Sequence, residues 1–340
     1  MRLTTLAPFL ALALALGLPL TLAAPTSPSA SPLPLIIWHG LGDRYDADGL
    51  SQVAELAAQV HPGSYVYPIR ISEDGSDDQK ATFFGNLTTQ INTVCTTLST
   101  DPLLNSNHTR IDALGFSQGG QFLRGLIETC PSIRVRSLVT FGSQHNGIAK
   151  FQTCGTWDLL CKGAVGLVRG NAWTAWVQGN IVPAQYYREI NETTGEGSET
   201  YLDSSGWLAD VNNERDVKNA KYKERLGALE RFVMYIFSED KTVIPKESGW
   251  FAEVNATDGT VTQVRNRTMY AEDWIGLRRL DEKGALVFRE APGEHMRLDE
   301  DLLRETFAAY FGPERESWDG TETETTSGGE DQVVLGLYEL

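Results

Sequence analysis

Two hydrophobic periods alternate along this chain. Leu35-Ile36-Ile37-Trp38 is a short unbroken apolar run, which predicts a strand buried on both faces. It ends in the glycine-rich turn His39-Gly40-Leu41-Gly42-Asp43. Leu50–Val60 has helical spacing and Tyr65–Ile71 reads as a second strand. Ser72–Gln79 is charged and reads as a loop, and Ala81–Leu98 as a helix. Arg110–Phe116 predicts a strand stopped by Ser117-Gln118-Gly119-Gly120, and Gln121–Cys130 continues as a helix. Arg136–Phe141 is again strand-like, followed by the loop Gly142–Gly147. Strand alternating with helix implies an α/β fold, with a mostly parallel central sheet and helices on both faces.

The alternation breaks after Gly147. From about Lys150 to Leu229 the chain has helical stretches, four tryptophans (Trp157, Trp173, Trp176, Trp207) and no clear strand, which predicts an insertion over the sheet. Strand patterns return at Phe232–Phe237 and Leu286–Arg289, and Leu302–Phe311 predicts a closing helix. No internal repeat is visible.

The two ends read differently from the body. Arg2, the apolar run Pro8–Leu22 and the small residues of Leu22-Ala23-Ala24-Pro25 fit a signal peptide over residues 1–24, cleaved rather than kept as an anchor. Thr26–Pro34 is a Pro/Ser-rich linker, and the folded domain is expected over 25–312. Residues 313–340 hold eight acids against Arg315 and supply −7 of the chain's net −16, so this segment is expected to be a disordered acidic tail. The body is only mildly acidic and has no Lys/Arg cluster, which argues against a nucleic-acid partner. Five N-x-S/T sequons, at Asn86, Asn107, Asn191, Asn255 and Asn266, agree with export.

Four cysteines allow three pairings. The short spacing of Cys154 and Cys161 favours a bridge between them, leaving Cys95 with Cys130. With no C-x-x-C motif, a zinc site is not expected.

Gly115-Phe116-Ser117-Gln118-Gly119 fits G-x-S-x-G between a predicted strand and a predicted helix. That context is the nucleophile elbow of an α/β-hydrolase, where the glycines make room for a sharp turn exposing the serine hydroxyl. A hydroxyl needs a base. Of five histidines, His39, His61, His108 and His145 fall in positions unsuited to that role. His295, in Pro292-Gly293-Glu294-His295 after the last predicted strand, falls where this fold places its base. The carboxylate that orients the base comes between serine and histidine in chain order. Asp240 directly follows the strand Phe232–Phe237. Glu239 competes with it, Asp258 and Asp273 more weakly, and the D-x-x-V spacing to Val243 favours Asp240. The backbone amides of Gln118 and Leu41 are the candidate oxyanion donors.

With those residues in place the chain resembles the lysosomal palmitoyl-protein thioesterase family, in its first, long-chain-preferring branch. The matching stretches are Trp38–Asp43, Gly115–Arg124, Gly142–Gly147, Leu208–Arg215, Arg231–Met234, and Leu286–Phe288 with Gly293–His295. The resemblance covers about Leu33 to Gly312. It implies deacylation of S-palmitoylated proteins and peptides and of related acyl thioesters, through a Ser-Asp-His mechanism without metal or cofactor. It also implies N-glycosylation and lysosomal residence, while the sequence itself leaves lysosome, vacuole and medium open. The family's triad position selects Asp240 over Glu239, and its disulfides match both pairings above. A long acyl chain needs an apolar groove, and Trp173 and Trp176 of the insertion are candidates to line it. Three departures bear on loop shape: Arg44–Asp48 lacks a vicinal cysteine pair, Ile244-Pro245 replaces an Asp-Pro, and the acidic tail has no counterpart. A lipase or carboxylesterase acting on oxygen esters is the rival enzyme reading, and a non-catalytic lipid or protein binder the rival outside enzymes. Oligomeric state stays open.

Overall fold

The computed structural model describes residues 31–105, 110–151, 153–155, 159–314 and 334–335. The signal segment and the Asn107 sequon lie outside them.

Six strands form one parallel sheet: β1 (Leu35–Trp38), β2 (Val66–Pro68), β3 (Ile111–Phe116), β4 (Val135–Phe141), β5 (Arg231–Phe237) and β6 (Leu286–Ala291), in the order β2-β1-β3-β4-β5-β6. Every residue of β1, β3 and β5 is buried, which explains their unbroken apolar runs. Alternate side chains serve opposite faces. Leu35, Ile37, Leu114, Phe116, Val139 and Phe141 pack with helix α1 (Asp48–Val60) and the closing helix Glu300–Tyr310 through Leu50, Val53, Leu303 and Phe307. Ile36, Trp38, Ala113 and Leu138 pack on the other face with Leu87, Ile91, Phe122 and Leu123.

The order places the site. From β1 the chain runs outward to β2, then returns to β3 on the opposite side of β1. The connections leaving β1 and β3 therefore diverge, opening a crevice beyond the carboxyl ends of these two strands, where ligands of such sheets bind.

The region 72–98 corrects the expectation of a loop followed by one helix. Two helices form, α2 (Gly75–Ala81) and α3 (Leu87–Thr100). Asp74 caps the first by accepting the Asp77 amide, and Asn86 caps the second by accepting that of Thr89. Between them Gly85 has φ +132°, a value side-chain-bearing residues rarely adopt. Charge made 72–79 look solvated, yet Asp78 is fully buried. The next helix, α4 (Gln118–Thr129), starts at Gln118 rather than Gln121.

The insertion has no strand between β4 and β5 among the described residues. Its described residues form six short helices, α5 (Leu159–Val168), α6 (Ala175–Asn180), α7 (Val182–Gln185), α8 (Glu199–Ser204), α9 (Leu208–Val211) and α10 (Ala220–Leu226). Disulfides join Cys95 to Cys130 and Cys154 to Cys161. A buried polar network ties the insertion to the sheet. Arg188 pairs with Glu214 at 2.9 Å and with Glu253, and Tyr201 and Asn212 each donate to Glu214 at 2.8 Å. From α4, Arg124 donates to Asn212 Oδ1 and to the His145 carbonyl. Buried charges persist only when paired and hydrogen-bonded, and removing one partner of such a pair costs about 3–5 kcal/mol. Two of the resembling stretches, Leu208–Arg215 and Gly142–Gly147, thus meet through this network.

The folded body continues past 312. Arg136 donates to the Pro313 carbonyl at 2.7 Å, and Arg110 bonds the Glu314 carboxylate. The rest of the expected disordered tail lies outside the described residues, except that Val334–Leu335 pair with Leu298–Asp299.

Candidate active site

Ser117 joins β3 to α4 with φ 48° and ψ −120°, a strained conformation outside the regular regions. Its neighbours make the elbow possible. A Cβ at Gly115 would lie 2.2 Å from the Gly120 Cα, and one at Gly119 2.3 Å from the carbonyl oxygens of Trp38 and His39. The Ser117 amide donates to the Phe141 carbonyl at 2.7 Å, pinning the turn to β4.

His295 arrives from the loop after β6. Its Nε2 is 3.1 Å from Ser117 Oγ and its Nδ1 is 2.6 Å from Asp240 Oδ2. A carboxylate only accepts, so Nδ1 carries the proton and Nε2 is left to accept from the serine hydroxyl. Asp240 is itself fixed, its Oδ1 accepting the amides of Thr242 and Val243 at 2.8 and 2.9 Å. This is the physical content of the D-x-x-V spacing. Glu239 is exposed and donates its amide to the Gly293 carbonyl. Asp258 accepts from Thr260, and Asp273 pairs with Lys223, so neither faces His295. Gly142 has φ +59°, and a Cβ there would come within 2.7 Å of the His295 ring.

Two residues border the space beside Ser117. Gln118 is the first residue of α4, and the first amides of a helix have no intrahelical acceptor. Its side chain is tied to the Thr82 carbonyl and the Tyr186 hydroxyl, both at 3.1 Å. Leu41 belongs to the turn after β1 and lines the same cleft as Ser117. That turn is held from behind by α2. His39 Nε2 is 3.0 Å from Asp78 Oδ2, and its Nδ1 is 3.1 Å from the Gly40 carbonyl. Thr82 Oγ1 accepts the Gly42 amide, and Gln79 donates to the Gly42 carbonyl. Burial alone would lower the His39 pKa, but the hydrogen bond and charge of Asp78, with Asp43, raise it above its ordinary value. Burial alone would raise that of Asp78, but His39 and the Ile71 and Tyr45 amides lower it. The charged pair is thus the favoured state.

The cleft at Ser117 is lined by Leu41, Phe83, Ile148, Phe151, Val165, Pro183 and Val243 among others. Its apolar lining suits a hydrocarbon chain. Of the expected groove tryptophans neither lines this cleft, while Trp173 lines an open hollow that shares Phe151 and Val165 with it. Trp173 donates to Glu189 and packs on Tyr187 and Tyr201. Trp176 is 59% exposed. His145 is buried, bonds Thr140 Oγ1 and stacks on Phe251. Burial, with the Arg124 charge, holds its pKa well below the ordinary range.

Of the expected sequons, Asn191 and Asn266 are exposed, while Asn86 and Asn255 are half-buried with side-chain oxygens accepting local amides. Sequence reading missed Asp78, Thr82 and Tyr186. The cap signal at Asp74 was the available clue to the first two.

Comparison with known proteins identifies the family. The family model described as palmitoyl protein thioesterase matches residues 34–295. The chain is 32% identical over 282 residues to palmitoyl-protein thioesterase 1 of Caenorhabditis elegans, covering 82% of this chain and 92% of that protein. It is 34% identical over 288 residues to a palmitoyl-protein thioesterase-dolichyl pyrophosphate phosphatase fusion of Schizosaccharomyces pombe, covering 84% of this chain and 44% of the fusion. Among solved structures, Est1E from Butyrivibrio proteoclasticus aligns with a TM-score of 0.41 at 12% identity, over 83% of this chain and 87% of that one. The chain belongs to the palmitoyl protein thioesterase family, hydrolases of acyl thioesters.

Proposed function

We propose that the protein hydrolyses long-chain fatty acyl thioesters, S-palmitoyl cysteine in proteins or peptides foremost, with Ser117, His295 and Asp240 as its triad. Ser117 Oγ attacks the thioester carbonyl carbon while His295 Nε2 takes its proton. Asp240 holds the imidazole and stabilises the imidazolium. The amides of Leu41 and Gln118 bind the developing oxyanion. The C–S bond then breaks, the cysteine sulfur takes the proton from His295, and an acyl ester remains on Ser117. Water attacks that ester with His295 as base, releasing the fatty acid and restoring the hydroxyl. Thiolate is a good leaving group, with a parent pKa of about 8.5.

The observation that supports this reading most is the Ser117–His295–Asp240 chain of hydrogen bonds opening onto an apolar cleft. The test compares palmitoyl-CoA with the matched p-nitrophenyl oxygen ester, using Ser117→Ala as control. Thioester turnover that vanishes in the variant is expected. Preference for the oxygen ester would move the protein to the lipase reading.

The cellular site is proposed on coarser ground. Relatives named lysosomal thioesterase, from Xenopus laevis and Bos taurus, are 25% and 26% identical over 271 and 255 residues. No helix among the described residues is long and apolar enough to cross a membrane. The names of these relatives and the sequons support delivery through the secretory pathway to a lysosome or vacuole. A mobility shift on deglycosylation and co-localisation with an acidic-compartment marker would check it. A protein that stays unglycosylated in the cytosol would contradict it.

A further inference from the structure

Helix α5 roofs the acyl cleft, which Cys161, Ala164 and Val165 line from above. Its sequence, LLCKGAVGLV, has one charge in ten residues. A helix lying on a water-soluble protein ordinarily turns charged residues away from the core. This one does not. Its outward residues include Leu159, Gly163, Gly166 and Leu167. Leu159 is 77% and Leu167 43% exposed, and a Cβ at either glycine would meet nothing within 4 Å. Trp176, at the start of α6, is 59% exposed. These are three of the six large apolar side chains exposed among the described residues, and all fall within 159–176.

Charge singles out the same region. On a chain of net charge −16, residues 159–176 contain Lys162 and Arg169 and no acid. An open hollow beside α5 has Lys150 and Arg169 as the charged residues of its lining, again with no acid. Neither Lys150 nor Arg169 has an ion-pair partner among the described residues. Exposed apolar side chains flanked by Lys150 and Arg169, on an otherwise acidic protein, match an anionic lipid surface in both its terms.

We propose that the outer face of α5, with Trp176, docks on anionic bilayers, Leu159, Leu167 and Trp176 entering the interface while Lys150 and Arg169 meet lipid head groups. Docking brings the roof of the cleft to the surface from which a membrane-embedded acyl chain must be drawn. That purpose rests on the thioesterase reading, whereas the binding itself does not.

The test is flotation of the full-length protein with phosphatidylcholine vesicles, with and without roughly one-third phosphatidylserine. Two variants accompany it, Leu159→Glu/Leu167→Glu and Lys150→Glu/Arg169→Glu, each checked for unchanged thermal unfolding and unchanged turnover of a soluble short-chain acyl thioester. The wild type is expected to float with the anionic vesicles, and each double variant to bind at least about tenfold more weakly. The proposal is overturned if the wild type floats with neither vesicle, if it floats equally with both, or if the variants float like the wild type. Self-association through this face in place of vesicle binding, read by light scattering, also overturns it. Loss of Ser117-dependent turnover with flotation intact would sink the thioesterase reading alone.

Discussion

Asp240→Asn isolates the role of the carboxylate without changing its size. Oδ1 of Asp240 accepts two backbone amides, from Thr242 at 2.8 Å and Val243 at 2.9 Å. An asparagine must keep its carbonyl oxygen there, because an NH₂ group in that place would face two donors. The amide nitrogen then occupies the position of Oδ2, 2.6 Å from His295 Nδ1. A donor now faces that nitrogen, so the imidazole must carry its proton on Nε2 instead, toward Ser117. The serine loses its proton acceptor although every atom is in place. The equivalent change in a well-studied serine protease lowers kcat by ~10⁴ through the wrong tautomer, a barrier increase of about 5.5 kcal/mol. We expect a loss of that order in kcat on palmitoyl-CoA, with the midpoint of thermal unfolding little changed. Glu239→Gln, on an exposed neighbour, should leave kcat within about twofold. A folded Asp240→Asn enzyme within tenfold of the wild type would refute the reasoning, as would an equal loss from Glu239→Gln.

Three further outcomes follow from the geometry. The raised His39 pKa means its charged form is favoured by folding, so its contribution is complete below 6.5 and is lost as pH rises through the higher folded value. The lowered Asp78 pKa contributes above 3.8 and is lost as pH falls through the lower folded value. Unfolding midpoints of the wild type should therefore decline on the alkaline side of this window more steeply than those of His39→Gln, and parallel curves would contradict the pairing. Gly119→Ala must push a methyl group against the Trp38 and His39 carbonyls, costing about 1–3 kcal/mol of stability and displacing the Gln118 amide, so that kcat falls along with the melting temperature. Phe151→Ala should lower the ratio of long-chain to short-chain kcat/KM on soluble acyl-CoA substrates by at least about tenfold, since it removes a whole ring where a single methylene already changes discrimination on that scale. Trp176→Ala should leave that ratio alone, and the reverse pattern would return the tryptophans to the acyl groove.

What the sequence made legible followed from how strictly the chemistry constrains it. Ser117 could be read because its elbow tolerates no side chain at Gly115 or Gly119, and that requirement leaves a fixed spacing. His295 could be reached by elimination among five histidines, and its place after β6 supplied the rest. Asp240 needed one more piece, since choosing it over Glu239 depends on which side chain turns back onto the Thr242 and Val243 amides. The buried runs of β1, β3 and β5 were plain for the same reason that they sit at the centre of the sheet. Asp78 was hidden because a run of charges carries no mark of which member is buried, and its partner His39 lies 39 residues away. The cleft was hidden because its walls come from separate segments, among them the turn after β1, the end of α2, α5 and the loop after β5. Trp173 and Trp176 could not be placed from sequence because aromatic size signals burial in general without saying against what. One is half-buried on Tyr187 and the other faces outward.

The central claim is that acyl transfer passes through Ser117. Mixing the protein with palmitoyl-CoA, quenching in acid within the first turnovers and mapping peptides by mass spectrometry tests it directly. The account predicts a palmitoyl ester on the peptide containing Ser117, gone in Ser117→Ala. Steady turnover with the acyl group on another residue, or undiminished turnover in Ser117→Ala, would contradict it.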